Sequence, residues 1–174
     1  MWKNVEKEMI EEANKKFLQE SYDVARFLLS TALKEYSYHN VTGNLTNSFV
    51  VAFYYERRLK GYITSAEMLG KPATRATLRK GEMYNLPEYW DGTNVKSLGK
   101  PYRGQSGSGG EYGANEAERF IYTSVGFGGW SFLIAATTEY AAYTEMKKGL
   151  NVLTSLRNGL AAAGAQVSMM KTSG

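Results

Sequence analysis

An α+β fold is the class this sequence predicts, and three observations predict it. Apolar residues recur near a 3.6-residue period through the first thirty-odd positions. From Ser48 the chain turns β-branched and aromatic. A second strand-like and helical pair then follows a long stretch rich in glycine and proline. With 174 residues, 43% of them hydrophobic, the chain suits one domain with a packed core, and we read 1–174 as that domain with an irregular insertion at about 66–118. The expected architecture is a long N-terminal helix and a second helix packed on a small, mostly antiparallel sheet, with the insertion as a long arm.

Residues 3 to about 36 form the first element. Val5, Met9, Ala13, Phe17, Val24, Leu28 and Thr31 fall near the helical period, and Glu11–Lys15 and Glu12–Lys16 are i,i+4 pairs. Ser21 and Tyr22 weaken the middle, so the expectation is one long helix or two with a bend there. The stretch HNVTGNLTNSF, His39–Phe49, then holds two glycosylation triplets, Asn40-Val41-Thr42 and Asn44-Leu45-Thr46. The charged N-terminus lacks the apolar segment of a signal peptide, so no secretory route is expected and the triplets read as turn chemistry. Thr42-Gly43 is the turn, and Asn44 or Thr42 is expected to cap a short helix in which Leu45 and Phe49 share a face.

SFVVAFYYERRLKGYITS predicts a hairpin of Phe49–Glu56 and Leu59–Thr64, with a turn near Lys60-Gly61. Residues 66–118 contain all three prolines, half of the glycines and no sustained period; a loop of about 50 residues is functional or disordered. Its aromatics, among them Tyr84, Trp90 and Tyr102, argue that much of it packs on something, whereas Gly104–Gly113 reads as flexible. A second hairpin is expected from Arg119–Val125 and Ser131–Thr137, turned by Gly126–Gly129. Thr138 or Glu139 then opens a helix ended by Gly149, Leu150–Leu156 is strand or turn, and Asn158–Met170 is weakly helical or extended.

Composition narrows the chemistry. There is no cysteine and one histidine, so thiolate metal sites and disulfides are excluded and a hydrolytic triad would have to use His39. GQSGSGG has the glycines of a phosphate loop but lacks the Lys-Ser/Thr that completes one, and Gly104-Gln105-Ser106-Gly107-Ser108 misses a nucleophile elbow at its last position. Glu111, Glu116 and Glu118 lack metal-ligand spacing, though two carboxylates could still converge as in a glycosidase. The reading is therefore no enzyme, with no catalytic, cofactor or metal residues. No apolar run approaches the roughly 18 residues of a membrane span. The net charge of +4 is compatible with a polyanion, and the basic residues gather in two places: Arg57, Arg58 and Lys60, and Lys71, Arg75, Arg79 and Lys80. Thirteen tyrosines fit either an aromatic core or an interface.

Two segments together suggest a family. Thr42-Gly43-Asn44-Leu45-Thr46-Asn47-Ser48 follows the long helix and precedes a hairpin, and Thr138-Glu139-Tyr140-Ala141-Ala142-Tyr143-Thr144-Glu145 follows a later strand. This resembles the neck, or head–tail connector and tail-completion, proteins of tailed bacteriophages. Thr42, Gly43, Leu45 and Ser48 match the first motif; Tyr140, Ala141 and Glu145 match the second, with Tyr143 beside them. The usual Glu-x-Gly is stretched here to Glu145…Gly149. The resemblance covers roughly residues 5–65 and 119–160. It implies a non-catalytic virion subunit, assembled in the host cytoplasm into a ring of six or twelve copies that joins the portal to the tail around the DNA channel. Neighbouring neck or tail proteins would be its partners, with non-specific contact to the genome and no membrane. Lys71, Arg75, Arg79 and Lys80, then Arg57 and Arg58, would line the channel or dock on a protein. The other readings are a tail-tube or other ring-forming tail component, a nucleic-acid-binding or toxin-like domain using the basic loop, and an enzyme with dispersed carboxylates.

Overall fold

The computed structural model describes residues 2–34, 43–70, 79–84, 89–90, 95–96, 102–103, 110–138, 141 and 152–162. The chain is an α+β protein in which a three-stranded antiparallel sheet carries helices on both faces. Helix α1 (Trp2–Lys34) runs 33 residues without interruption. Ser21 does not break it because its hydroxyl donates to the Phe17 carbonyl at 2.9 Å, inside the helix's own hydrogen-bond geometry.

The sheet is built from β1 (Phe49–Tyr55), β2 (Arg58–Thr64), which leads directly into the short helix α2 (Ser65–Leu69), and β7 (Trp130–Ala136), in the order β2-β1-β7. Four short strands lie in sequence between β2 and β7: β3 (Met83–Tyr84) pairs with β6 (Tyr102–Arg103), and β4 (Tyr89–Trp90) with β5 (Val95–Lys96). Strand β1 is apolar throughout because it is central and covered on both sides. Successive side chains alternate between faces. Phe49, Val51 and Phe53 meet Leu28, Leu29 and Leu33 of α1, Ile63 of β2, and Leu156 of α4 (Val152–Ala162). Val50 meets Ala117 and Ile121 of α3 (Glu111–Thr123) on the opposite face. Each fully buried Leu, Val or Phe contributes roughly 1.5–3 kcal/mol.

The first hairpin forms as expected, but its turn is Glu56-Arg57 rather than Lys60-Gly61. Gly61 is a strand residue opposite Phe53, where a Cβ would lie 2.7 Å from the Tyr22 hydroxyl; glycine makes room for two rings. The expected second hairpin does not form. Arg119–Val125 begins in α3, and β7 pairs instead with β1, with Val51 opposite Ile134 and Phe53 opposite Phe132. The helix was hidden because its buried seam is Gly113, Ala117 and Ile121, two of them too small to register as an apolar period. Gly113 lets α3 lie directly on the Asn44 backbone, since a Cβ there would strike the Asn44 carbonyl. Residues 110–118 therefore belong to the packed domain, and the flexible reading of Gly104–Gly113 fails at least from Gly110. Likewise Leu150–Leu156 is not strand or turn from Val152 onward, because that segment starts α4.

The loop Gly43–Ser48 is wholly buried. It ends in a single 3-10 turn, Thr46–Ser48, whose N-cap is Leu45 without any side-chain cap, so the capping role expected of Asn44 is not realised. Backbone bonds from Asn47 N–H to the Gly43 carbonyl (3.0 Å) and from Ser48 N–H to the Leu45 carbonyl (3.1 Å) do that work. Asn44 is fully buried, and neither polar atom of its side-chain amide has a hydrogen-bond partner among the described residues.

Candidate assembly surface

The residues of the first family motif that the structure describes are internal. Gly43 adopts a positive φ of 80°, Leu45 joins the main core, and the Ser48 hydroxyl donates to the Leu45 carbonyl at 2.8 Å. The Ser48 carbonyl accepts from both the backbone N–H and the hydroxyl of Thr137, at 3.1 and 3.0 Å, which pins the end of β7 to the loop. Of the second motif, Ala141 is buried in the main core, its N–H donating to the Thr138 carbonyl at 2.9 Å. Thr42, Tyr140, Tyr143 and Glu145 lie outside the described residues, as do Lys71 and Arg75. The motif positions that are described thus hold the fold together and present nothing to a partner.

The surface offers two apolar regions, on opposite faces of the sheet. On the α1 face, Phe17 stacks on Trp130 with ring centroids 4.1 Å apart, and Trp130 on Tyr55 at 5.0 Å. Trp130 and Phe132 project from β7 on the side of Phe53, to which Phe132 lies at 5.9 Å. Above Phe17 the stripe continues along α1 through Val5 and Met9, and Met9 is 66% exposed. Among the described residues the outer edge of β7, WSFLIAA, pairs with nothing, and it holds neither charge nor proline, the usual guards of a free strand edge.

On the α3 face, Tyr122 and Val125 are 74% and 70% exposed and Phe127 is 56% exposed. Local structure holds these rings outward. Gly126 is buried against the Tyr54 side chain, with no room for a Cβ, so its two neighbours in the chain face solvent. Tyr122 is hydrogen-bonded to Tyr62, and that bond, followed by burial, raises the Tyr62 phenol above its ordinary pKa.

Arg57 and Arg58 stand beside this second region. Glu56 and Arg57 both have positive φ, 48° and 65°, the pattern of a type I′ hairpin normally supplied by Asn-Gly. Such conformations cost a non-glycine residue about 1–3 kcal/mol and persist where surrounding contacts enforce them. Here the loop before β7 does so. Glu56 N–H donates to the Gly129 carbonyl (3.1 Å), Arg57 N–H to the Phe127 carbonyl (3.2 Å), and Gly129 N–H to the Glu56 Oε1 (3.1 Å). Lys60 lies over the Tyr55 ring, 6.0 Å from its centroid. Arg79 and Lys80 are exposed in a separate turn closed by Arg79 N–H to Glu82 Oε2 at 2.8 Å.

Among the described residues no group of three or more His, Asp or Glu side chains could hold a metal, and no helix is long and apolar enough to cross a membrane. Sequence reasoning named the basic turn but missed Phe132, Tyr122, Val125 and Phe127 as surface residues. Aromatic letters at strand-like spacing read as core, and only Val125-Gly126-Phe127 carried a signal, a glycine between two large apolar residues. Comparison with models of known families, with characterised proteins and with solved structures finds no match to this chain.

Proposed function

We propose that the chain is a structural, non-catalytic subunit that assembles head-to-tail into a ring, and that this ring is part of the neck of a tailed bacteriophage, joining portal to tail around the DNA channel. The observation that carries the assembly reading is the pair of exposed apolar regions on opposite faces of one small domain, Phe17 and Phe132 beside the half-buried Trp130, and Tyr122/Val125/Phe127. A closed ring needs two different complementary surfaces on each copy, whereas a two-fold dimer needs one. The phage assignment rests on the two sequence motifs, and it is supported by the folding roles of Gly43, Leu45, Ser48 and Ala141, which suit a motif kept for architecture. The exposed Arg57, Arg58, Arg79 and Lys80 would meet DNA or a neighbouring virion protein, with long-range and non-specific contacts in the first case.

The test is to label the chain in assembled particles and image them. Label confined to the head–tail junction is the expected result. Label distributed along a tail would make the chain a tube component, and absence from particles would overturn the virion reading.

A further inference from the structure

We propose that the N-terminal half of α1 is an inter-subunit arm that docks on the Val125/Phe127 face of a neighbouring copy, with its acidic borders against Arg57 and Arg58. The inference rests on the self-assembly part of the reading above and names the contact that makes it.

Asn4–Lys16 are all exposed, whereas Phe17 meets Trp130 of β7 and Leu18 onward packs on the sheet. About 20 Å of helix therefore stands clear of the core, and a helix of that length without tertiary support is marginal in water. Its sequence is nonetheless that of a docking helix. Val5, Met9, Ala13 and Phe17 recur every four residues and line one side. At 100° per residue, Glu12 and Glu6 fall about 20° outside the two edges of the arc from Val5 to Ala13. Residues 4–14 hold four glutamates and one lysine, a net charge of −3, and Lys15 and Lys16 follow at the base of the arm.

The acceptor has the opposite properties and is rigid. Phe127 and Val125 face outward, and the Phe127 carbonyl is bonded to the Arg57 N–H, so the apolar patch is tied to the basic turn. Arg57 and Arg58 make no ion pair among the described residues. An apolar stripe bordered by acids and an apolar patch bordered by bases are complementary in both respects. Both lie on the same chain, but they do not meet within it: the arm is exposed along its length, and so are Val125, Phe127 and the two arginines. The occupant that this complementarity selects is a second copy. Each copy then gives an arm and receives one, the head-to-tail relation of a ring.

The absence of cysteine makes the test clean. Full-length Met9→Cys and Phe127→Cys variants are mixed at high concentration and treated with a short bis-maleimide. The expected product is a dimer containing one copy of each, while Met9→Cys mixed with Arg79→Cys, an exposed control, gives at least about tenfold less. A charge swap gives the second arm of the test. Glu6→Lys/Glu12→Lys and Arg57→Glu/Arg58→Glu should each self-associate poorly, and their mixture should restore association about tenfold over either alone. Light scattering on the unaltered chain separates the two possible failures. Self-association without the Met9–Phe127 link or the charge rescue overturns this contact alone, and no self-association at any concentration overturns the ring reading with it. A link made equally by the control, or arginines protected by added duplex DNA but not by a second copy, also overturns the contact.

Discussion

Leu18–Leu33 and Asn4–Phe17 are two halves of one unbroken helix in opposite surroundings. In the first, Ala25, Leu28, Leu29, Ala32 and Leu33 are buried against the sheet; in the second, every side chain is exposed. Both halves carry an apolar stripe, yet the stripes are not the same one. The buried seam runs through Leu18, Tyr22, Ala25, Leu29 and Leu33, whereas Val5, Met9, Ala13, Phe17 and Val24 follow a separate line that stays largely in solvent. A helix with two apolar lines, one covered by its own sheet, has a second surface to give. The comparison teaches that periodicity locates faces without saying which molecule covers them.

The largest effect that would break this contrast comes from one truncation in each half. Leu29→Ala should lower the unfolding free energy by about 2–5 kcal/mol, because a fully buried side chain leaves a cavity in the core. Met9→Ala should change it by less than about 0.5 kcal/mol in the dilute chain, since the side chain is 66% exposed. Denaturant titration of both variants reads the difference directly, and a similar loss from both would mean that the arm folds back onto its own domain.

A second comparison sets α3 against α1. The α3 contact depends on absent atoms, so Gly113→Ala should cost about 1–3 kcal/mol despite the better helix propensity of alanine, by pushing α3 off the Asn44 backbone. Circular dichroism melts would show it, and a stabilised variant would mean that the helix can shift without loss.

The smallest expected effect concerns Tyr54. Its hydroxyl is buried without a hydrogen-bond partner among the described residues, so Tyr54→Phe should be neutral or stabilising by up to about 1 kcal/mol. Burial also raises its phenol above the ordinary 10.0. Its contribution is thus fully present below pH 10 and is lost as pH rises through the folded-state value, because the unfolded chain ionises more readily. The phenylalanine variant should lose less stability above about pH 10 than the parent, as read by unfolding midpoints across that range.

Much of the fold was legible where a single physical signal dominated. The continuous run Phe49–Tyr55 could only be a covered strand, and the charged, periodic first thirty residues could only be helix. The misreadings share a cause. At Gly113 and Ala117 contact is made by close backbone approach, and at Gly61 glycine shelters two rings, so small residues stood where large ones were sought. The β1–β2 turn was displaced because Glu56-Arg57 lacks turn chemistry of its own and is held by Phe127 and Gly129, some 70 residues away. Of the candidate surface, the charges could be named from letters because arginines are seldom buried. The exposed Phe132, Tyr122 and Phe127 could not, since exposure follows from which strand pairs with which.

The central claim, that the projecting half of α1 is covered by a second copy, is tested most directly by hydrogen exchange of its backbone amides as a function of protein concentration. In dilute solution the amides of residues 4–16 should exchange far faster than those of Leu28–Leu33, because the helix is exposed there among the described residues. On concentration into the associated range they should slow by about tenfold or more, together with the amides of the Arg57 turn. An arm equally protected at every dilution, or one that stays fast when the chain has associated, would contradict the account.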